Sequence, residues 1–137
     1  MNELVAISNG QGEFVDRRYI RDGKVAVLIS GSYGAGWSTW NKKHTDMLFD
    51  PEIVQLVLVW EEYDRNAKGY GHGYERKYAE FYDTVDAIAR SRYVDCNTGG
   101  ISGLYVQWVP IGDKFRVHEY DGSETLKLES NEKWIVA

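Results

Sequence analysis

Cysteine is almost missing from this chain: Cys96 is the single one among 137 residues, so no internal disulfide can form and a reducing compartment is expected. Proline occurs twice, which excludes rigid proline-rich linkers. Long apolar runs are missing too. The tract Val54 to Trp60 is interrupted by Gln55 and falls well short of the ~20 residues of a spanning helix. The start, Met1-Asn2-Glu3-Leu4, lacks the basic and apolar regions of a secretion signal, so a cytoplasmic protein is expected. Positive charge is in deficit: 16 Lys and Arg against 21 Asp and Glu leave a formal net charge of -5. That balance argues against a duplex-binding protein, which needs a concentrated basic face, and permits binding to a basic protein groove. Phenylalanine is scarce at 4, while tyrosine and tryptophan stand at 10 and 5. These two rings combine an apolar body with a polar edge and are common on recognition surfaces.

What is present reads as one α+β domain over residues 1–137, a twisted antiparallel β-sheet packed against two α-helices. Strands are expected at Leu4–Ile7, Phe14–Ile20 and Lys24–Ser30, with turns at Ser8–Gly12 and Asp22-Gly23. The run Val25-Ala26-Val27-Leu28-Ile29 is continuously apolar, the pattern of a central strand covered on both faces. Asp50-Pro51-Glu52 is a helix start, with Asp50 as N-cap and Pro51 in the first turn. Ile53, Leu56, Val57 and Trp60 follow at helical spacing, and this helix should end near Asn66. A second helix is expected from Glu75 to Arg92, with Tyr78, Phe81, Tyr82, Val85, Ile88 and Ala89 as its apolar stripe. The period then switches to two, giving strands at Leu104–Val109, Lys114–Tyr120, Glu124–Glu129 and Lys133–Val136. Pro110–Asp113 and Asp121–Ser123 would be the hairpin turns between them.

Three features offer chemistry. The loop Gly31–Asn41, GSYGAGWSTWN, combines glycines that admit close backbone approach with large rings. Its candidate partner- or ligand-binding residues are Tyr33, Gly34, Gly36, Trp37, Trp40 and Asn41. It is no phosphate loop, because the Gly-Lys-Ser/Thr ending is missing and no helix starts at its end. The inter-helix stretch Gly69-Tyr70-Gly71-His72-Gly73 would form an exposed tip, adding Tyr70 and His72. Glu119, Asp121 and Glu124 crowd one hairpin and would form an acidic tip able to enter a basic cleft. The alternative for each is structural: a core-plugging loop, a plain connection and a solvated turn.

Signatures of catalysis are weak. His44 with Asp46, and His118 with Glu119 and Asp121, lack the spacing of a zinc helix, so no metal or cofactor is expected. Cys96 pairs with no evident base, and Glu61 and Glu62 read as a solvated helix face. A non-enzymatic protein is therefore expected.

The stretches VAVLISGSYGAGWSTWN at Val25–Asn41, LFDPEIVQLV at Leu48–Val57 and WVPIGDKFRVHEYDGSE at Trp108–Glu124 resemble a family of small, largely uncharacterised bacteriophage and prophage proteins. The resemblance spans most of the chain. It implies an accessory protein acting in the cytoplasm of an infected bacterium, where small acidic phage proteins often block CRISPR effectors or nucleotide-signalling defences. The expected mode of action is occlusion of a host protein or defence complex. The alternative is sequestration of a small ligand such as a nucleotide, with a homo-oligomer allowed in that case and neither duplex nucleic acid nor a membrane as partner.

Overall fold

The structure is a computed structural model that describes residues 2–8, 14–67 and 71–137, with side chains from residue 18 onward, residue 72 excepted. The expected turn at 8–12 and Tyr70 fall in whole or in part outside the described residues. Strands β1 (Asn2–Ser8), β2 (Phe14–Arg21) and β3 (Lys24–Ser30) lead into helices α1 (Pro51–Asn66) and α2 (His72–Arg92). Strands β4 (Leu104–Pro110), β5 (Phe115–Tyr120) and β6 (Ser123–Leu128) follow. The α+β class read from the sequence is the fold observed.

The strands divide into two antiparallel sheets, one of order β1-β2-β3-β4 and a separate β5-β6 ribbon. Strand β3 is the reason for three layers. Its residues Ala26 to Ile29 have no exposed surface, so both faces need cover. Ala26 and Leu28 pack with Ile53, Val54, Val57, Phe81, Val85 and Ala89 of the two helices. Val27 and Ile29 face the other way, against Val109, Leu126, Phe115 and Val117. The ribbon is therefore the second lid on β3, and the stretch Pro110–Asp113 carries the chain from one sheet to the other. It is no hairpin, in contrast to the sequence expectation.

Local chemistry sets the boundaries. Asp22-Gly23 and Asp121-Gly122 both have positive φ at both positions, 49° and 74° in the first and 49° and 89° in the second. Both make the two-residue hairpins their sequence announces, closing Arg21 on Lys24 and Tyr120 on Ser123. Helix α2 begins at His72 and not Glu75, because the Gly71 carbonyl already accepts from the N–H groups of Tyr74 and Glu75. His72 thus lies in a helical turn and not on a loop tip. The expected strand at Lys133–Val136 is not formed. Glu132 is held by Arg116 at 2.7 Å, and the residues beyond it are exposed with no strand beside them among the described residues.

Asp50 joins the two helices. Its Oδ1 accepts from the N–H groups of Glu52 and Ile53, both at 3.1 Å, and caps α1. Its Oδ2 accepts from Arg92 Nη1 and from the Tyr93 hydroxyl, each at 2.6 Å. Burial, then the bond to Asp50, holds the Tyr93 phenol far above its ordinary pKa, while the bonds to Asp50 and Glu52 raise that of Arg92. Glu61 of α1, read from the sequence as solvated, is half-buried and accepts from the Val106 N–H on the outer edge of β4 at 3.0 Å.

Asp50→Ala removes the cap, leaves the buried Tyr93 hydroxyl without its acceptor and takes from Arg92 one of its two carboxylate partners, Glu52 remaining at 2.6 Å. A loss of about 3 kcal/mol is expected, read as a fall of roughly 10 °C in the thermal midpoint by circular dichroism.

Candidate functional site

The loop after β3 is held from across the chain. Gly31 N–H donates to the Gly103 carbonyl at 2.9 Å, and Gly34 N–H to the Asp121 carbonyl at 2.7 Å. The Ser123 hydroxyl donates to the Gly31 carbonyl at 3.1 Å, which ties the β5-β6 hairpin to the loop from the other side.

The centre of this arrangement is Glu124. Its side chain is buried, and its carboxylate accepts four hydrogen bonds. Oε1 takes the Ser30 N–H at 2.9 Å. Oε2 takes the N–H groups of Trp37 at 2.8 Å and Thr39 at 3.0 Å, together with the Thr39 hydroxyl at 2.5 Å. A buried carboxylate needs this many donors to offset its lost hydration. Glu124 is thus an internal clamp and not part of an exposed acidic tip, which corrects the expectation for that residue. Glu119 stands directly opposite it in the register, an unfavourable like-charge pairing. Glu119 resolves this by turning to accept the Gly122 N–H at 2.7 Å, which leaves Glu119 and Asp121 as the exposed acids of the hairpin.

Gly36 is the glycine the clamp requires. A methyl group there would lie 2.9 Å from Glu124 Oε2 and 2.5 Å from Thr39 Oγ1. Gly122, at φ 89°, would set one 2.3 Å from the Ala35 nitrogen. Gly34 combines a φ of 98° with open space, so it serves the turn and leaves its surroundings free.

The candidate rings separate into two sets. Trp37 has no exposed surface, and its indole N–H donates to the Met47 carbonyl at 2.7 Å. It anchors the loop to the core, which corrects its reading as a partner contact. Asn41 is also internal. Its Nδ2 donates to the carbonyls of Trp37 and Asn97 at 2.7 and 2.9 Å, and its Oδ1 accepts from the Asn97 N–H at 2.7 Å. Tyr33 and Trp40 remain outside, 71% and 41% exposed. Tyr120, at 78%, belongs to the hairpin that hydrogen bonds to the loop. Tyr105, from β4, lies against Gly31 at the same end. Burial, with the Glu124 charge adding to it, pushes the Tyr105 phenol up. The sequence reading passed over Tyr105 and Tyr120, although strict alternation places Tyr105 on the face opposite Leu104 and Val106.

His72 belongs to helix α2. His44 Nε2 sits 2.8 Å from the Val94 carbonyl, and its ring packs on Tyr93. Cys96 is half-buried with its thiol toward the Ala89 carbonyl at 3.6 Å, and burial pushes that thiol up. Among the described residues no group of three His, Cys, Asp or Glu side chains is arranged to hold a metal ion, and no helix is long and apolar enough to cross a membrane. The chain matches no protein-family model, no curated protein and no solved structure.

Two outcomes follow. Glu124→Gln turns one acceptor oxygen into an NH2 that faces N–H donors, and should cost about 3 kcal/mol in a urea melt. Cys96 should react with a thiol reagent at neutral pH more slowly than a free peptide thiol, with the rate still climbing above pH 9.

Proposed function

We propose that this chain is a phage-encoded, non-enzymatic binding protein that acts in the host bacterial cytoplasm and blocks a host protein or defence complex by occluding its surface. The observation that supports this reading is the set of exposed rings Tyr33, Trp40 and Tyr120 on backbone that is fixed by the buried Glu124 clamp. Rings on a rigid frame lose little entropy on binding, which is the usual character of an interface anchor. The exposed acids Glu119 and Asp121 stand beside them and would steer the encounter with a basic partner.

A second reading, a nucleotide-binding protein, is supported by a cleft of about 490 Å³ beside the same loop. Trp40, Lys42, Lys43 and His44 line it, offering a stacking ring next to positive charge.

The test is capture of a partner by tagged protein from the bacterial host, with the single variants Tyr33→Ala, Trp40→Ala and Tyr120→Ala. Each should weaken capture by about 2 kcal/mol, some thirtyfold, and leave the thermal midpoint unchanged. Capture that survives all three removes the proposed surface. For the second reading, nucleotide at about 100 times its Kd should stabilise the fold by about 2.7 kcal/mol. A flat thermal response across a nucleotide panel removes it.

A further inference from the structure

The β5-β6 ribbon covers β3 with one face and shows the other to solvent. The register pairs Arg116 with Lys127, His118 with Thr125 and Tyr120 with Ser123. All of these side chains except that of Ser123 are exposed, while Phe115, Val117, Leu126 and Leu128 point to the core. Lys114 is exposed at the same end as Arg116 and Lys127. In a chain of net charge -5, three cations and a histidine therefore gather on one narrow face.

The pairing of Arg116 with Lys127 costs stability, because like charges directly opposite each other in a ribbon repel. A depression of about 260 Å³ lies at this pair, lined by Lys114, Arg116 and Lys127 and by the acids Glu129 and Glu132. The Glu132 carboxylate approaches Arg116 Nη2 to 2.7 Å. It comes from the segment that follows the ribbon and not from the ribbon itself. A carboxylate on an arginine fork stands where a phosphate oxygen would sit. A second depression of about 340 Å³ shares Phe115 and Arg116 with the first; Leu48 and Val117 line it together with Lys42 and the hydroxyls of Ser38 and Thr45.

We propose that the outer face of the β5-β6 ribbon binds single-stranded nucleic acid, with Arg116 and Lys127 on phosphates and Tyr120 stacked on a base, and that Glu132 covers Arg116 when no strand is bound. Tyr120 stands on the same face as the cations, with the acids Glu119 and Asp121 marking where the cationic stretch ends at the hairpin tip, and an exposed ring favours a nucleic-acid strand over an acidic peptide, since every base presents a face for stacking. The ribbon is six residues long, about 20 Å at strand rise, which suits a few nucleotides in single file. A duplex would also bring its phosphates against the acids of the remaining surface.

Fluorescence anisotropy of labelled oligothymidylate and oligouridylate, at low and raised salt, tests this. Binding should appear at low salt and weaken with a log–log slope of about -0.7 per phosphate held. Arg116→Glu and Lys127→Glu should each reduce affinity about tenfold or more. Lys127→Arg should retain it, and Glu132→Gln should raise it several-fold. Thr125→Glu adds a negative charge to the same face without touching the Arg116 pair and should also weaken binding, so the result does not hang on one variant's fold. No binding at low salt, equal binding of a labelled polyglutamate, or insensitivity to Arg116→Glu and Thr125→Glu overturns the proposal. Weaker binding by Glu132→Gln overturns the covering role of that residue.

Discussion

A single buried carboxylate organises the exposed end of this molecule. Glu124 accepts from Ser30, Trp37 and Thr39, which lie 85 to 94 residues before it in the chain. Each of those donors would otherwise be an unsatisfied group beside the core. The loop is therefore shaped by what Glu124 demands: a glycine at 36 to make room, a hydroxyl at 39 to complete the shell and a tryptophan at 37 driven inward. Tyr33 and Trp40 are left outside as a consequence of that geometry. The exposed rings and the internal clamp are two sides of one arrangement.

Strand β3 imposes the second constraint. Because both of its faces are apolar, two helices alone could not complete the core, and the ribbon supplies the missing cover. This explains why the last hairpin does two things at once. Its inner face packs on Val27 and Ile29, and its tip grips the loop through Asp121, Ser123 and Glu124. Its outer face has no packing duty, so charged and aromatic residues can collect there.

Features governed by near neighbours were legible in the sequence. The Asp50-Pro51 helix start, both Asp-Gly turns, the β3 run and the stripes of both helices depend on residues a few positions apart, and the structure contains all of them. What was not legible depended on distant partners. Alternation puts Glu124 on the face of Leu126 and Leu128, yet in the run Glu119 to Glu124 nothing local shows the distant N–H groups and hydroxyl that make an inward carboxylate tolerable there. Trp37 and Trp40 differ by three positions in one Gly-rich loop, and only the Met47 carbonyl and the core decide which is buried. Lys133–Val136 has strand character, yet a strand needs a neighbour, and the pattern cannot supply one. The same holds for Pro110–Asp113, whose turn residues are real but whose flanking strands pair with other partners.

The contact between Glu61 and the Val106 N–H bears on how this protein can meet others. Strand β4 is an edge of its sheet, and an edge offers main-chain groups to any extended chain that passes. A helix carboxylate already holds the amide in the middle of that edge. A visiting strand would have to expel a charge before it could lengthen the sheet. Self-templated association along β4 is thereby disfavoured, and recognition is left to side chains, whose chemistry can discriminate, rather than to backbone, which every protein shares.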